Sequence, residues 1–437
     1  MSFKVYHLGA ENCVTGSSQL LSAKDIHILI DCGMVQGKDS HIPITSWPVR
    51  PDKIDYLFLT HAHIDHIGRL PELIDHGFDG EIITTHPTKA LLGPMLQNAL
   101  SFTDYSERDQ DKLLSKIDEL SWGFEFNEQF GLKKGLQFRL GRAGHILGSC
   151  FVQISSSHFS VVFSGDLGPK NTPILCEPDI PDPCDVLVLE STYGDRFHAD
   201  RTKRIEQLGK ILSQALSDNG KVYIPSFALG RSQELIYEMD RLFTDPHWQV
   251  RYPSLTKQIP VFIDSPLGTE ITKIYSKLSP FWDKEARELL RRGDHPIDFD
   301  HLYIVESHHH HRKLLEMDGP AIIIAGSGMC HGGRIVNHLK QGLERSENDV
   351  LFVGYQAKGT PGRDIIKYSR YPSGYVRIEG ERLDINAKIY QLSGYSAHAD
   401  QADLVDWVRQ IPEKPGKIKL VHGELNSQTA LYKALDV

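Results

Sequence analysis

His61-Ala62-His63-Ile64-Asp65-His66 is the stretch on which the reading of this chain turns. It follows an apolar, strand-like run, Ile54 to Thr60, and precedes a helix-like one, Ile67 to Asp75. His61 and His63 stand two residues apart, so on extended backbone both side chains point to one side. Asp65 and His66 fall where the chain turns into the helix, placed to face a second ion. Four ligand-type side chains this close together at the end of a strand make a metal site. The competing reading is a polar turn that happens to be rich in histidine.

Working outward, the same strand-then-ligand arrangement recurs. Ile26 to Ile30 ends in Asp31-Cys32-Gly33, and Leu136 to Leu140 leads into Gly144-His145-Ile146-Leu147-Gly148. Ser160 to Phe163 leads into Ser164-Gly165-Asp166-Leu167-Gly168, and Val186 to Leu189 into Glu190-Ser191-Thr192-Tyr193-Gly194. Far downstream come Ser396-Ala397-His398-Ala399-Asp400 and Val421-His422-Gly423-Glu424. A lone His or Asp after a strand is commonly a turn residue or a helix cap. In this order along one chain they form a set.

The set resembles the metallo-β-lactamase superfamily and, within it, the β-CASP nucleases: ribonuclease J, the pre-mRNA 3′-end processing endonuclease, and their bacterial and archaeal relatives. The likeness covers nearly the whole chain. Asp31, the His61–His66 motif, His145 and Asp166 carry the superfamily part, and Glu190, His398 and His422 match three further β-CASP motifs. The resemblance implies an α/β fold, a metallo-β-lactamase αββα sandwich with an inserted parallel α/β β-CASP domain. It also implies two zinc ions per chain. One would take His61, His63 and His145, the other Asp65, His66 and His422, and Asp166 would bridge them. Asp31 would orient a ligand histidine through its other ring nitrogen. Ser-Ala-His-Ala-Asp at 396–400 looks more like the processing endonucleases than ribonuclease J, which tilts the expectation toward endonuclease action with 5′-end-dependent trimming left open. The chain ends soon after His422, where the family pattern continues with a strand and a helix, so either the sequence is trimmed or its last layer is short. The long C-terminal extension typical of ribonuclease J is missing from the sequence as given.

The chemistry follows from the residue types. Two ions about 3.5–4 Å apart can share a water, lower its pKa and hold a phosphate oxygen. The departing oxygen then needs a proton. Glu190 and His398 suit that task, a carboxylate that raises and orients a histidine and a histidine that donates near neutral pH. Asp65, Glu190 and His398 are the candidate catalytic residues.

Composition agrees with an intracellular enzyme. The chain has 437 residues, 40% hydrophobic and 24% charged, enough for a large core and two to three domains. It enters a strand-like run at once, which predicts no signal peptide, and its apolar runs are too short for a membrane span. Six cysteines without a Cys-x-x-Cys spacing read as reduced thiols of a cytoplasmic protein. A net charge of −9, from 48 basic and 57 acidic residues, argues against a broad nucleic-acid-coating surface but not against a local one. A homodimer is left open.

Residues 200–385 read as a separate α/β unit between two lactamase-like parts, 1–199 and 386–437. Ile205, Leu208, Ile211, Leu212 and Leu216 recur at helical spacing, and Asn219-Gly220 ends that helix. Then a short apolar strand, a Gly-containing loop, an arginine and a helix recur three times, with Arg231, Arg334 and Arg363. Alternation of strands and helices predicts a parallel sheet with ligands at its carboxyl ends. An arginine at a helix N-terminus opposes the helix dipole unless an anion sits there. In the family such loops face the metal site across a cleft, so Tyr193, Arg231, Ser327, Arg334, Arg363 and Ser396 are expected to contact a single-stranded RNA substrate.

Two features are set aside. His308 to His311 reads as a solvated helix start, and the aromatic stretch Trp122 with Phe124 to Phe130 reads as packing. Three function classes remain at this point: a zinc ribonuclease giving 5′-phosphate and 3′-hydroxyl ends, a DNA nuclease or other lactamase-fold hydrolase, and a non-catalytic scaffold. The filled ligand set speaks against the scaffold, the large insert against a small substrate, and His422 against the DNA-repair relatives.

Overall fold

A computed structural model of the chain describes residues 3–36, 39, 42–256 and 259–436. It divides into two compact units, one formed by Met1–Phe197 with Ala397–Val437 and the other by His198–Ser396.

Two six-stranded sheets build the first unit. One contains β1 (Phe3–Gly9), β2 (Ser18–Ala23), β3 (Ile26–Ile30), β4 (Tyr56–Phe58), β5 (Glu81–Thr85) and β6 (Ser121–Phe124) in chain order. The other runs from β7 (Gln129–Gly131) through β8 (Gln137–Arg142), β9 (Cys150–Ser156), β10 (Phe159–Phe163) and β11 (Val186–Glu190) to β20 (Lys417–Val421). Strand periodicity sorts their apolar residues. Leu21, Ile28, Ile30 and Phe58 face one core with Phe138, Val152, Val161 and Val188 of the other sheet. Their chain neighbours Leu20, Leu29 and Leu57 point the other way, onto a helical layer bearing Leu70, Leu73, Leu92 and Leu96. On the far side Phe151, Val162, Leu187 and Leu420 pack against Leu404, Trp407 and Leu431. Two sheets buried face to face, each covered by helices, is the αββα sandwich.

Six parallel strands form the sheet of the second unit, ordered β14 (Leu302–Ile304), β13 (Val261–Asp264), β15 (Ala321–Ala325), β12 (Lys221–Pro225), β16 (Asp349–Phe352) and β19 (Lys388–Gln391). A small hairpin, β17 (Tyr375–Ile378) and β18 (Glu381–Asp384), accompanies it. Because β19 pairs with β16, the chain stays in this unit well beyond Ile385. No helix among the described residues is long and apolar enough to cross a membrane.

Two local expectations need correction. The helix after the histidine motif is two short ones, Ile64–Ile67 and Leu70–Asp75. Arg69 leaves helical geometry and gives its N–H to Cys32 O (2.8 Å), and Pro71, which has none to give, sits in the next first turn. The four-histidine run does start a helix, His308–Glu316, with 308–310 exposed, but His311 is buried rather than solvated.

Candidate metal centre

Every side chain of the expected ligand set lies at the carboxyl end of a strand in the first unit. β10, β11 and β20 are parallel neighbours, so Asp166, Glu190 and His422, which end them, come out on one edge. The ends of β2 and β3 clamp the histidine motif from behind: Ser17 N, just before β2, bonds Asp65 O, and Cys32 N, just after β3, bonds His66 O, both at 2.8 Å. Gly33 has to be glycine, since a Cβ there would stand 1.6 Å from Asp65 O.

His61 Nε2, His63 Nδ1 and His145 Nε2 converge, at 3.1 Å for the first pair and 3.0 Å from His63 to His145. A single ring N–H cannot serve all three. Nitrogens on a zinc tetrahedron with 2.0–2.1 Å bonds are separated by about 3.3 Å, which is nearly the spacing found. Asp65, His66 and His422 form a second cluster, with His422 Nε2 3.6 Å and His66 Nε2 3.9 Å from Asp65 Oδ2. Asp166 Oδ2 lies between the two, 3.7 Å from His61, 3.6 Å from His145 and 3.3 Å from His66.

The donor chemistry fits metal ions. His66 Nε2, His422 Nε2 and Asp166 Oδ1 are buried and make no hydrogen bond, a costly arrangement unless a cation takes them up. Burial lowers His61 and His145 and takes His63 down to about 4, leaving neutral imidazoles with a lone pair to offer. Burial opposes charge at Asp166 too, but His422, His66 and His398 outweigh it and keep the carboxylate ionised.

The opposite ring nitrogens have partners. His66 Nδ1 donates to Asp31 Oδ2 (2.7 Å), and His61 Nδ1 to Thr60 Oγ1 (3.1 Å), which itself donates to Asp31 Oδ2 (3.0 Å). Thr60 N and Ser17 Oγ complete the Asp31 shell at 2.8 and 3.2 Å. His145 Nδ1 donates to Ala397 O (2.9 Å) and His422 Nδ1 to Thr192 Oγ1 (3.1 Å). Thr60, Thr192 and Ser17 were not singled out from the sequence. A hydroxyl directly before His61, and another two residues after Glu190, was the available signal.

Beside the clusters, His398 Nδ1 is 3.2 Å from Glu190 Oε2 and 3.8 Å from Asp166 Oδ2. Burial pushes this imidazole down, but the Glu190 and Asp166 carboxylates more than reverse it and lift it to about 9. Glu190 is held in turn by Leu167 N (2.6 Å). The Tyr193 ring stands 6.0 Å from that of His398.

The residues expected on RNA divide differently. Arg231 and Arg334, expected to meet phosphate, are turned inward. Arg231 pairs with Glu234 and lies over the Tyr395 ring, while Arg334 bonds Asp264 Oδ1 (2.7 Å) and Val305 O (2.8 Å). Both guanidiniums are largely shielded from water and so require these partners. Arg363 is exposed in the first turn of its helix. Ser327 Oγ accepts from His331 N, and Ser396 O accepts from Arg201.

An αββα sandwich with His/Asp clusters at its strand ends defines a metal-dependent hydrolase of the metallo-β-lactamase type. Residues 12–226 match the metallo-β-lactamase superfamily, 232–365 the β-CASP domain, and 382–436 a Zn-dependent metallo-hydrolase RNA specificity domain. The chain is 36% identical to ribonuclease TTHA0252 of Thermus thermophilus, covering 99% of this chain and 96% of that protein. It is 29% identical to transcription termination factor FttA of Methanocaldococcus jannaschii (96% of this chain, 67% of that one). It is also 29% identical to cleavage and polyadenylation specificity factor 73 of Drosophila melanogaster (98% and 61%). A solved Enterococcus faecalis protein of unknown function shares the fold at TM-score 0.58 and 13% identity, over 98% of this chain and 95% of that one. The chain belongs to the β-CASP ribonuclease family of the metallo-β-lactamase superfamily.

Proposed function

We propose that this protein hydrolyses phosphodiester bonds of single-stranded RNA, as a cytoplasmic, zinc-dependent endonuclease of RNA processing or decay. The observation that carries the reading is the pair of ligand clusters sharing Asp166, with the Glu190–His398 pair beside it. The first cluster would hold one zinc through His61, His63 and His145, and the second another through Asp65, His66 and His422. Five imidazoles favour zinc over manganese. Bound there, the ions would supply a water acidified toward neutrality and a charge for a phosphate oxygen.

The chain's own residues do the rest. Asp31 and the Thr60 hydroxyl hold His66 and His61 in the tautomers that turn Nε2 inward. Glu190, 3.2 Å from His398 Nδ1, favours the protonated imidazole, so His398 can hand that proton to the departing 3′-oxygen and leave a 5′-phosphate on the other product. Arg363, and Tyr193 beside His398, are the contacts we assign to the strand.

The test uses metal-quantified protein on circular single-stranded RNA and its DNA counterpart, with an Asp65→Ala variant alongside. Cutting of circular RNA by the parent protein alone is the expected result. Intact circles with trimming of 5′-phosphorylated linear RNA would replace endonuclease by exonuclease action, and cutting of DNA alone would overturn the reading.

A further inference from the structure

The chain carries a net charge of −9, yet residues 355–371 hold four basic side chains, Lys358, Arg363, Lys367 and Arg370, against one acidic, Asp364. All four basic residues are exposed. The helix Pro361–Tyr368 buries Gly362, Ile365 and Ile366 toward its sheet. Arg363 and Lys367, one turn apart, therefore line up along its outer side.

Each end of this basic helix carries an exposed ring. Tyr355 is 55% and Tyr371 61% accessible, though neither position needs a large apolar group for packing. Both are anchored through the backbone next to them. The neighbour of Tyr355, Gln356, is buried, donates to Gly328 O (2.9 Å) and lies against Gly362, where a Cβ would come within 1.9 Å of its Oε1. Tyr371 N bonds Tyr368 O (3.1 Å) as the helix ends. The helix between them is about 12 Å long. An ordinary solvated face would need no rings, and the core of a protein–protein contact is depleted of lysine. Exposed rings flanking a run of cations suit a flexible polyanion whose bases are unpaired, because every base has a face to stack and every phosphate a charge.

We propose that the helix Pro361–Tyr368 and its two flanking loops form a track for single-stranded RNA, with Tyr355 and Tyr371 stacking bases and Lys367 and Arg370 neutralising phosphates. The track rests on the reading that the substrate is RNA and extends it to a surface built wholly from the second unit. Its role is affinity for the strand.

The test measures binding, so it stands apart from cleavage of the circular substrate. Metal-loaded, full-length protein is titrated by fluorescence anisotropy into a cleavage-resistant phosphorothioate oligouridylate of twenty nucleotides, over a range of salt, and into a duplex of the same length. Tyr355→Ala with Tyr371→Ala should weaken single-strand binding about tenfold or more, whereas the two Tyr→Phe changes should leave it intact. Lys367→Ala with Arg370→Ala should flatten the slope of log affinity against log salt by about 1.4, the share of two single-strand phosphates. Melting curves of the variants check that the fold is retained. Single-strand affinity within twofold of the parent in the tyrosine-to-alanine variant, together with an unchanged salt slope in the Lys367/Arg370 variant, would overturn the track, as would duplex bound as tightly as single strand.

Discussion

Replacing Asp31 by Asn tests the metal centre at the residue that organises it without touching an ion. The change preserves size, and Asn tolerates the left-handed backbone found here (φ 60°), so the strand end should not move. Chemically it is severe. Asp31 accepts on both oxygens: Oδ1 from Thr60 N, and Oδ2 from His66 Nδ1, Thr60 Oγ1 and Ser17 Oγ. An amide offers one acceptor, so whichever way it turns, its NH2 meets a donor. If the NH2 faces His66, that ring must move its proton to Nε2 and withdraw the lone pair turned toward Asp166. Loss of such a supporting partner costs about 10–100-fold in metal affinity, or about 1.4–2.7 kcal/mol. The metal-free fold should also lose about 1–3 kcal/mol for the buried donor left facing a donor. Competition with a chromophoric zinc chelator measures the first effect, and denaturant unfolding of the stripped protein the second. The weakened ion should be the one shared by His66, Asp65 and His422. Zinc affinities within twofold of the parent at both sites would refute the assigned role of Asp31.

His398→Ala should retain both metals yet lose about 10²–10⁴ in cleavage rate, and an equal loss of zinc by mass spectrometry would remove its place as proton donor. Asp264→Ala should destabilise the second unit by about 3–5 kcal/mol, because the buried carboxylate serves Arg334, His311 and His338 at once; a denaturation midpoint equal to the parent's would show those groups find other partners. Asp349 on β16 is pushed up to about 7 by burial, with Lys388 pulling the other way. Its unfolded counterpart loses its proton near pH 4, so stability should decline from about pH 4 to 7 and stay level above, by on the order of 2 kcal/mol. Asp349→Asn should abolish that decline, and an unchanged pH profile of unfolding would exclude Asp349 as its source. Zinc at about a hundred times its Kd should add about 2.7 kcal/mol to the first unit's stability, an increment that Asp166→Ala should not show in melting experiments.

Much of this molecule was legible along the chain. The change from strand-like to helix-like periodicity around His61–His66, and the recurrence of a ligand residue after each apolar run, rest on rules that act over a few residues. The parallel character of the sheet in residues 221–391 was legible for the same reason, since strands alternate with helices. Two of the three loop arginines, Arg231 and Arg334, misled because a charge at a helix start looks alike whether it meets solvent, ligand or protein. Arg231 meets Glu234 on its own helix, and Arg334 meets Asp264 from a strand that lies beside β15 only once the sheet has formed.

His311 makes the same point. Three of the four histidines in its run are exposed, and burial of the fourth depends on Asp264 and Asn337, which arrive from other elements. The sequence by itself determined which residues could hold metal, since that depends on side-chain type and strand ends. Tertiary structure alone decided which nitrogen each imidazole turns inward and which charges are neutralised inside the protein. Those outcomes depend on hydrogen bonds between residues far apart in the chain, as when Asp31 receives His66 and Ala397 O receives His145. They also depend on burial, which makes an unpaired charge or donor too costly to leave without a partner.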